Sequence, residues 1–529
     1  MNKRSFNIVG TCRPETDYMV DISERVEKVK AMVDRGFYFT INRPRQYGKT
    51  TLLSALSRRI YNEYICARIS FEGIGDSAFQ SESAFCDALM DKIQTALQRA
   101  PAEYESSYIT SWMNPDITNF KQLDKHITKM CQGKEVVLLI DEVDKTSDDR
   151  IFIHFLGVLR EKYLLRKDDL DYTFKSVILV GVYDIRNLKL KLINEGVYAP
   201  SGQEGHLLNS PWNIAVPFLV DMSFSPKDIA GMLVEYEADH VTGMDIDLVS
   251  DSIYEYTGGY PFLVSQICQM LDEGGAPQNW TPNGVRSAVK SMINQVPMNT
   301  LFDDIIKNLE SDQAIYDFIY DVLILGKRHK YAISDPAIQR ADMFGIIKSR
   351  EGTAIVSNRV FEILIADYFT SKDGRSRSHS HISGYKGDVV RNFRFDMEYC
   401  LTRFAKLFRE IFTDKDQPFI EEHGRMLFLT YLTPLLNGNG FYHLESQLTD
   451  QRRMDLVVDF GADQFIIELK LWYGETAHEK AYNQLAGYLK TKGATAGYLL
   501  TFDFRKEKSR ESKMQWIDWD GIRIFDVVV

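Results

Sequence analysis

The chain is short of three things, and each shortage removes a class of answer. Its cysteines, Cys12, Cys66, Cys86, Cys131, Cys268 and Cys400, are scattered, with no CxxC and no histidine pair at zinc-finger spacing. A disulfide scaffold and a structural zinc module are therefore not expected, and a reduced, cytoplasmic protein is. No run of about 18 apolar residues occurs, so neither a transmembrane helix nor a membrane partner is expected. The opening MNKRSFNIVGTCRPE lacks a long apolar core and does not read as a secretory signal. Positive charge is short as well: the net charge of −11 argues against a basic surface that coats nucleic acid. Local, metal-mediated contact with phosphate needs only a few residues and stays open.

What is present is a globular composition, 44% hydrophobic and 26% charged over 529 residues, too long for one core. Roughly three or four domains follow from that length. Residues 36–41 (GFYFTI) read as a buried strand, followed by NRPRQYGKT and then the helical pattern TLLSALSRRIYNEY. Strand, glycine loop and helix are the context of a phosphate-binding loop. Gly48 lets backbone approach phosphate, Lys49 reaches the β- and γ-phosphates, and Thr50 ligates Mg²⁺. The helix adds its positive N-terminal end. The strict eight-residue pattern fails, because Arg43 stands where the first glycine belongs.

A second apolar run, 136–140 (VVLLI), suits a central parallel strand. Asp141 and Glu142 close it, at the strand end where ligands gather in open α/β sheets. Asp141 would hold the Mg²⁺ shell and Glu142 would orient the attacking water. A third strand, 176–182, leads into Tyr183-Asp184-Ile185-Arg186, where Asp184 or Arg186 senses the γ-phosphate or the segment is a surface turn. From 225 to about 296 the pattern is helical, with Ser225 as N-cap, Pro226 at the first helical position and Asp228 in the first turn. Gly258, Gly259 and Pro261 precede a helix within it. Helices between 301 and 370 lead to GIIKSREGTAIVS, a hairpin turning at Gly352.

Together RPRQYGKTTLL, LLIDEVD, GVYDIRNLKLK, SPWNIAVPF and TGGYPFLV resemble the AAA-like ATPases of bacteria, allied to the signal-transduction ATPases called STAND. The resemblance covers residues 5–370. It implies an Arg-Pro-Arg stretch in place of the first loop glycine. It also implies ATP held by Arg45, Gln46, Tyr47, Gly48, Lys49, Thr50, Thr51 and Asp141, with Mg²⁺ on Thr50 and Asp141. In such proteins the lid brings Gly259 and Pro261 to the nucleotide, a winged helix follows the lid, and activation often proceeds through a homo-oligomer. A winged helix can read DNA, but its candidate segment SDPAIQRADMF is nearly charge-balanced, which favours packing on the ATPase instead.

Residues 371–384 are polar and aperiodic and read as a flexible tether, with His379 and His381 solvated. Two helical segments follow, MEYCLTRFAKLFREIF and FIEEHGRMLFLTYLTPLL, and then RRMDLVVDFGADQFIIELK, two strands about a glycine turn. Glu468 and Lys470 are two apart and share a strand face. If the strands pair, Asp455 can approach from the neighbouring one. Two carboxylates and a lysine in one cleft can hold a divalent metal and activate water; the alternative is a charged hairpin face. Gln484 and Tyr488, four apart, lie on one helical face. Residues 496–504 read as the strand that completes the sheet.

This order resembles the PD-(D/E)XK nuclease superfamily, of the type fused behind bacterial AAA-like ATPases, over residues 390–529. The resemblance implies an α/β restriction-endonuclease-like fold in which Asp455, Glu468 and Lys470 form the catalytic motif. Mg²⁺ or Mn²⁺ would sit on Asp455 and Glu468, with helical Glu422 (Glu421 stands beside it) completing the set and Gln484 bordering the lysine. Met454 takes the place of the nominal proline, and Arg452 and Arg453 are placed to hold a flanking phosphate.

The expectation is thus an α/β chain in five parts. Residues 1–224 form a P-loop parallel-sheet core, 225–300 a helical lid, 301–370 a winged helix, 371–388 a linker and 389–529 a nuclease-like domain. Its expected function is an ATP-hydrolysing switch that controls a metal-dependent nuclease acting on DNA, with bacterial defence or mobile-element control as the biological analogy. The alternative is a nucleotide-controlled signalling or binding module whose nuclease-like domain is not catalytic. A third reading is an ATPase that remodels a protein partner.

Overall fold

The computed structural model describes residues 4–100, 104–113, 116–146, 150–182, 212–274, 279–294, 300–325, 327–376, 389–391, 394–411, 417–436, 440–444, 456–461, 463–503 and 513–529. The chain forms two compact units, Met1–Val241 with Gly259–Gln269, and Thr242–Gly258 with Met270–Val529. The division falls inside the segment expected to be the lid, not at its ends. No helix among the described residues is long and apolar enough to cross a membrane.

The first unit is built on four parallel strands, β1 (Phe39–Asn42), β2 (Ile65–Ser70), β3 (Val136–Asp141) and β4 (Ser176–Gly181), in the order β1-β4-β3-β2. Successive side chains of a strand face opposite ways, and β3 and β4 are apolar at nearly every position because both faces are covered. Leu138, Ile140, Val177 and Leu179 join one core cluster, while Val137, Leu139, Ile178 and Val180 join another. The helices around this sheet are α1 (Ser23–Asp34), α2 (Lys49–Ile60), α3 (Glu82–Gln98), α4 (Ser106–Ser111), α5 (Phe120–Cys131) and α6 (Arg150–Lys167). α2 buries Leu52, Leu53, Leu56 and Ile60 on the second cluster, a helical spacing that fixes which end of it meets the sheet edge. Two features escaped sequence reading. β2 has Arg68 in the middle of its apolar residues, and Val216 pairs with Phe39 to cover the free side of β1.

α7 (Pro226–His240) starts as expected: Ser225 and Asp228 make a reciprocal capping box with Pro226 at the first position. α8 (Ile246–Thr257) ends at left-handed Gly258, and α9 (Pro261–Glu273) opens two residues after Gly259. In the second unit follow α10 (Pro282–Asn294), α11 (Thr300–Ser311), α12 (Gln313–Leu323), α13 (Pro336–Met343) and the hairpin β5 (Ile347–Arg350) with β6 (Thr353–Val356), which turns at Gly352. α14 (Arg359–Ser376) then runs six residues into the stretch expected to be a tether, so residues 371–376 are helical. The rest of that stretch, with His379 and His381, lies outside the described residues.

After the short pair β7 (Val390–Arg391) and β8 (Arg394–Phe395) come α15 (Met397–Ile411) and α16 (Gln417–Leu436). A six-stranded sheet then forms from β9 (Gly440–His443), β10 (Leu456–Phe460), β11 (Asp463–Leu471), β12 (Ala496–Phe502), β13 (Lys513–Trp519) and β14 (Ile522–Val528). Its order is β13-β14-β12-β11-β10-β9, antiparallel from β9 to β11 and parallel across β11, β12 and β14. β12 therefore sits inside the sheet and does not complete it. It is buried at most positions because β14, with β13 behind it, covers the edge that sequence reading left open. α17 (Glu475–Thr491) lies on the face carrying Val457, Ile466, Leu499 and Ile524.

Gly259 shows how tightly the first unit is closed. At φ 76° its missing Cβ would stand 1.9 Å from the Phe224 carbonyl oxygen, whose own N–H donates to the Gly259 carbonyl at 2.8 Å. Gly259→Ala adds left-handed strain of roughly 1–3 kcal/mol before any clash is relieved. Thermal unfolding of this variant should show a midpoint lowered by several degrees, while Gly133→Ala, also at positive φ but with nothing within 4 Å, should cost only the strain.

Candidate functional site

Because the strands of the first unit are parallel, the ends of β1, β3 and β4 open on one edge, and the phosphate-loop residues meet there. Arg43 donates its backbone N–H to the Gly181 carbonyl at 3.2 Å, tying the loop to β4. Its guanidinium donates to the carbonyls of Asn42 and Val220 at 2.8 and 3.0 Å and lies over the Phe218 ring. The residue in the first-glycine position is thus a clamp on the loop base. Gln46 and Gly48 both have positive φ, 55° and 79°, which curls the loop towards the start of α2. Lys49 donates to the Arg43 and Pro44 carbonyls at 2.8 and 2.7 Å. Loss of hydration pushes its ammonium down to about 8, against the pull of Asp144, Glu142 and Asp141.

Thr50 donates its hydroxyl to Asp141 at 3.1 Å. Hydroxyl and carboxylate oxygens side by side are hard donors of the kind Mg²⁺ takes. Glu142 follows at φ 59°, its N–H on the Asp141 carboxylate at 3.0 Å. Burial, then the charges of Asp141 and Glu72, hold the Glu142 carboxyl above the ordinary carboxylate range. Thr51 is engaged from the other side, accepting from the Cys12 N–H at 3.2 Å.

Two functional neighbours were missed by sequence reasoning. Tyr260, between the chosen Gly259 and Pro261, donates its hydroxyl to the Arg45 carbonyl at 2.5 Å and meets the Tyr47 ring edge-on at 4.7 Å. Pro261 itself begins α9, and Gly259 serves the close approach of Phe224. Asp144 accepts from the Val182 N–H at 2.6 Å, pinning the end of β4 to the turn after β3. The TGGYP string contains the first signal; the second, one acid in LLIDEVD, has none that separates it from its neighbours. Asp184 and Arg186 lie outside the described residues.

In the second unit, Glu468 and Lys470 do project together from β11. The Lys470 ammonium stands 2.6 Å from the Glu468 carboxylate, with Glu468 fully buried and Lys470 about a third exposed. Glu468 pairs with Leu499 and Leu499 with Asp526, so one row across three parallel strands faces α17. Asp526 accepts from Tyr482 at 2.9 Å and meets the His478 Nε2 at 3.2 Å, a buried trio that sequence reading missed because a lone acid in FDVVV looks like a strand end. Gln484 is half-buried on α17, whereas Tyr488 is in the core with Leu485 and Leu489. Asp455, Arg452, Arg453 and Met454 lie outside the described residues, as do the side chains of Glu421 and Glu422 on α16. Among the described residues no group of three His, Cys, Asp or Glu could hold a metal.

A family model for the AAA-like domain matches residues 15–364. The chain belongs to that family. A model for the PD-(D/E)XK nuclease superfamily matches residues 441–513, so the AAA-like domain is followed by a domain of that superfamily. Two solved structures are similar to the chain. The Walker-type ATPase PABY2304 of Pyrococcus abyssi is 12% identical over 68% of this chain and 99% of that one, with a TM-score of 0.46. The Aeropyrum pernix ORC2 protein, in ADPNP–ADP complexes, is 14% identical over 69% and 98%, with a TM-score of 0.30. No curated protein matches.

The PD-(D/E)XK domain does not stand apart from the helices that precede it. Its edge strand β9 packs on α14 and on α8 within the second unit. The Tyr442 hydroxyl lies 3.5 Å from those of Thr370 on α14 and Thr433 on α16. Beside it, burial lifts the Asp367 carboxyl to about 7, partly offset by a hydrogen bond from Tyr442. One strand in, buried Asp459 of β10 accepts from Gln464 at 2.8 Å and faces the Arg286 guanidinium of α10 at 3.6 Å. Arg359 at the start of α14 pairs with Glu255 of α8 at 2.8 Å.

The Lys49 shift has a measurable sign in the AAA-like domain. Below about 8 the ammonium is charged and attracts triphosphate; above it the empty site holds a neutral amine. Bound phosphate restores the charge, so ATP affinity should fall as pH rises through about 8, by at most about tenfold per pH unit. Calorimetry at pH 8.5 in buffers of different ionisation enthalpy should show proton uptake on binding. No uptake would mean that Lys49 is already charged in the empty site.

Proposed function

We propose that the chain is an ATP-binding and ATP-hydrolysing switch that controls a metal-dependent phosphodiesterase, with DNA as the substrate. Lys49 binds the β- and γ-phosphates, Thr50 and Asp141 hold Mg²⁺, and Glu142 orients the attacking water. In the nuclease domain Asp455 and Glu468, with Glu422 from α16, hold Mg²⁺ or Mn²⁺. The metal supplies Lewis-acid stabilisation of the phosphate and a more acidic water. Lys470 positions that water and offsets phosphate charge, and Gln484 borders it.

The observation that supports control, beyond two sites in one chain, is the seat of the β9–β10 edge on α8, α10 and α14. α8 ends at Gly258, beside the segment that carries Tyr260 to the phosphate loop. A change of nucleotide that shifts this segment would reach the strand next to the catalytic β11. The three helices, the hairpin and α14 have the order of a winged helix, and here that module acts as a packing part. Affinity to STAND ATPases, a bacterial source, a cytoplasmic setting, oligomerisation on activation and a role in defence belong to the same reading.

One observation favours the second reading, a nuclease-like domain that binds without cutting. Glu468 is fully buried with Lys470 closed onto it. One matrix of assays separates the two. Wild type, Lys49→Ala and Asp455→Ala are each tested for ATP hydrolysis and for cleavage of DNA and RNA with Mg²⁺ and Mn²⁺. The switch predicts that Asp455→Ala lowers cleavage by at least about a thousandfold and spares ATP hydrolysis, while Lys49→Ala loses both. Cleavage intact in Asp455→Ala sinks the site assignment. A wild type that binds nucleic acid but never cuts supports the second reading.

The seat itself predicts uncoupling. Arg286→Ala leaves Asp459 buried without that guanidinium. It should leave ATP hydrolysis within about twofold and make cleavage insensitive to nucleotide. Cleavage by Arg286→Ala that still follows ATP as in wild type would show that control runs elsewhere.

A further inference from the structure

Among the described residues five threonines are buried, and four of them have a hydrogen-bond partner for the hydroxyl. Thr40 accepts from the Trp212 indole at 2.9 Å, and Thr173 meets the Tyr38 hydroxyl at 3.4 Å. Thr257 donates to the Ile253 carbonyl and Thr370 to that of Ala366. Thr501, on β12, is the exception: it is fully buried, and its hydroxyl oxygen has no hydrogen-bond partner. A buried hydroxyl left unpaired costs free energy that valine, of nearly the same shape, does not incur. Strand preference does not account for the threonine either, because valine suits a strand equally well.

The register shows what stands beside this hydroxyl. β11, β12 and β14 are parallel, and Lys470 pairs with Thr501 and Thr501 with Val528. Paired residues stand on one face, here the face of Leu499, which lies two residues back and packs under α17. Val528 is apolar, so the polar neighbour in the row is Lys470. Strands lie about 4.8 Å apart, within the sweep of a four-carbon lysine stem whichever rotamer the threonine takes. The Thr501 backbone is fixed on both sides, and its carbonyl accepts from the Val529 N–H at 2.8 Å.

The Lys470 ammonium stands 2.6 Å from the Glu468 carboxylate, on its own strand. A divalent cation on those oxygens would take their lone pairs and repel the ammonium. An ammonium has three donors and no acceptor, so it then needs another oxygen on the same face. We propose that Thr501 is a positioning residue for Lys470, whose ammonium its hydroxyl accepts once Glu468 holds the cation of the proposed nuclease site. The lysine thus has two seats, Glu468 on β11 and Thr501 on β12. This deepens the nuclease reading and rests on it for the cation; the second seat rests on the register and the unpaired hydroxyl.

Thr501→Val removes the hydroxyl and keeps the shape. Thermal unfolding of the full chain without divalent cations should show a midpoint no lower than in wild type, since no hydrogen bond is lost there. Lys470 is then followed by mass spectrometry, through its rate of modification by an acylating reagent. Without cations the two proteins should react alike. In Ca²⁺, Lys470 should react roughly fivefold faster in Thr501→Val, and Thr501→Ser should restore the wild-type rate. In DNA cleavage with Mn²⁺, Thr501→Val should lower kcat roughly tenfold with KM nearly unchanged, and should cost nothing further in a Lys470→Ala chain. A midpoint lowered by several degrees would show that the hydroxyl has a structural partner, and overturns the seat. Equal Lys470 reactivity in Ca²⁺, or a Thr501→Ser no better than Thr501→Val, overturns it as well. A protein that never cuts but shows the Ca²⁺-dependent difference keeps the seat and removes the nuclease. One in which Thr501→Val cuts at the wild-type kcat keeps the nuclease and removes the seat.

Discussion

Two adjacent backbone approaches, at Gly258 and Gly259, fix the course of the chain where it leaves one compact unit for the other. A side chain on Gly258 would stand 2.9 Å from the Ser357 carbonyl oxygen, where β6 meets α14; one on Gly259 would stand 1.9 Å from that of Phe224. Both residues are left-handed, and the compact units divide at the peptide between them. Each glycine packs into its own unit, so the chain changes allegiance within one bond. Within each unit, the elements that meet at its glycine cannot slip past one another without forcing backbone into backbone, the least compressible contact a protein has.

The chemistry of the two candidate sites is built from few charges. In the AAA-like domain, Thr50 and Asp141 meet only because the helix after β1 and the end of β3 share the open edge of a parallel sheet. In the PD-(D/E)XK domain, Glu468 and Lys470 meet because of a two-residue strand period. An overall negative charge is compatible with the proposed roles of both, which would need one lysine and oxygen ligands at the phosphate and no basic surface.

Local patterns were legible and distant ones were not. The run VVLLIDE placed β3 and its acids, because a strand covered on both faces must be apolar throughout. Ser225, Pro226 and Asp228 placed the start of α7, because a cap is a contact within four residues. The two-residue spacing of Glu468 and Lys470 placed both on one face. Tyr260, Asp144 and the seat of β9 on α14 were invisible, since their partners are Arg45, Val182 and Thr370, at separations no local period encodes. β2 was missed because Arg68 interrupts it, and β13 because its exposed and half-exposed residues carry no apolar face, which left buried β14 without a partner in the sequence. The polar stretch after residue 370 read as tether by composition, yet α14 continues to Ser376: its helical turns are already nucleated by buried Phe361, Leu364 and Ile365.

That continuation changes where the chain can be cut. The boundary by composition, near residue 389, would release a fragment carrying Tyr442, Asp459 and the whole of β9, and leave Asp367, Thr370 and Arg286 behind. The fragment would then show water a bare strand edge of the kind that invites pairing with another copy. Its behaviour in solution would be governed by that edge. A catalytic measurement on it would report the self-association of a severed domain before it reported anything about phosphodiester chemistry.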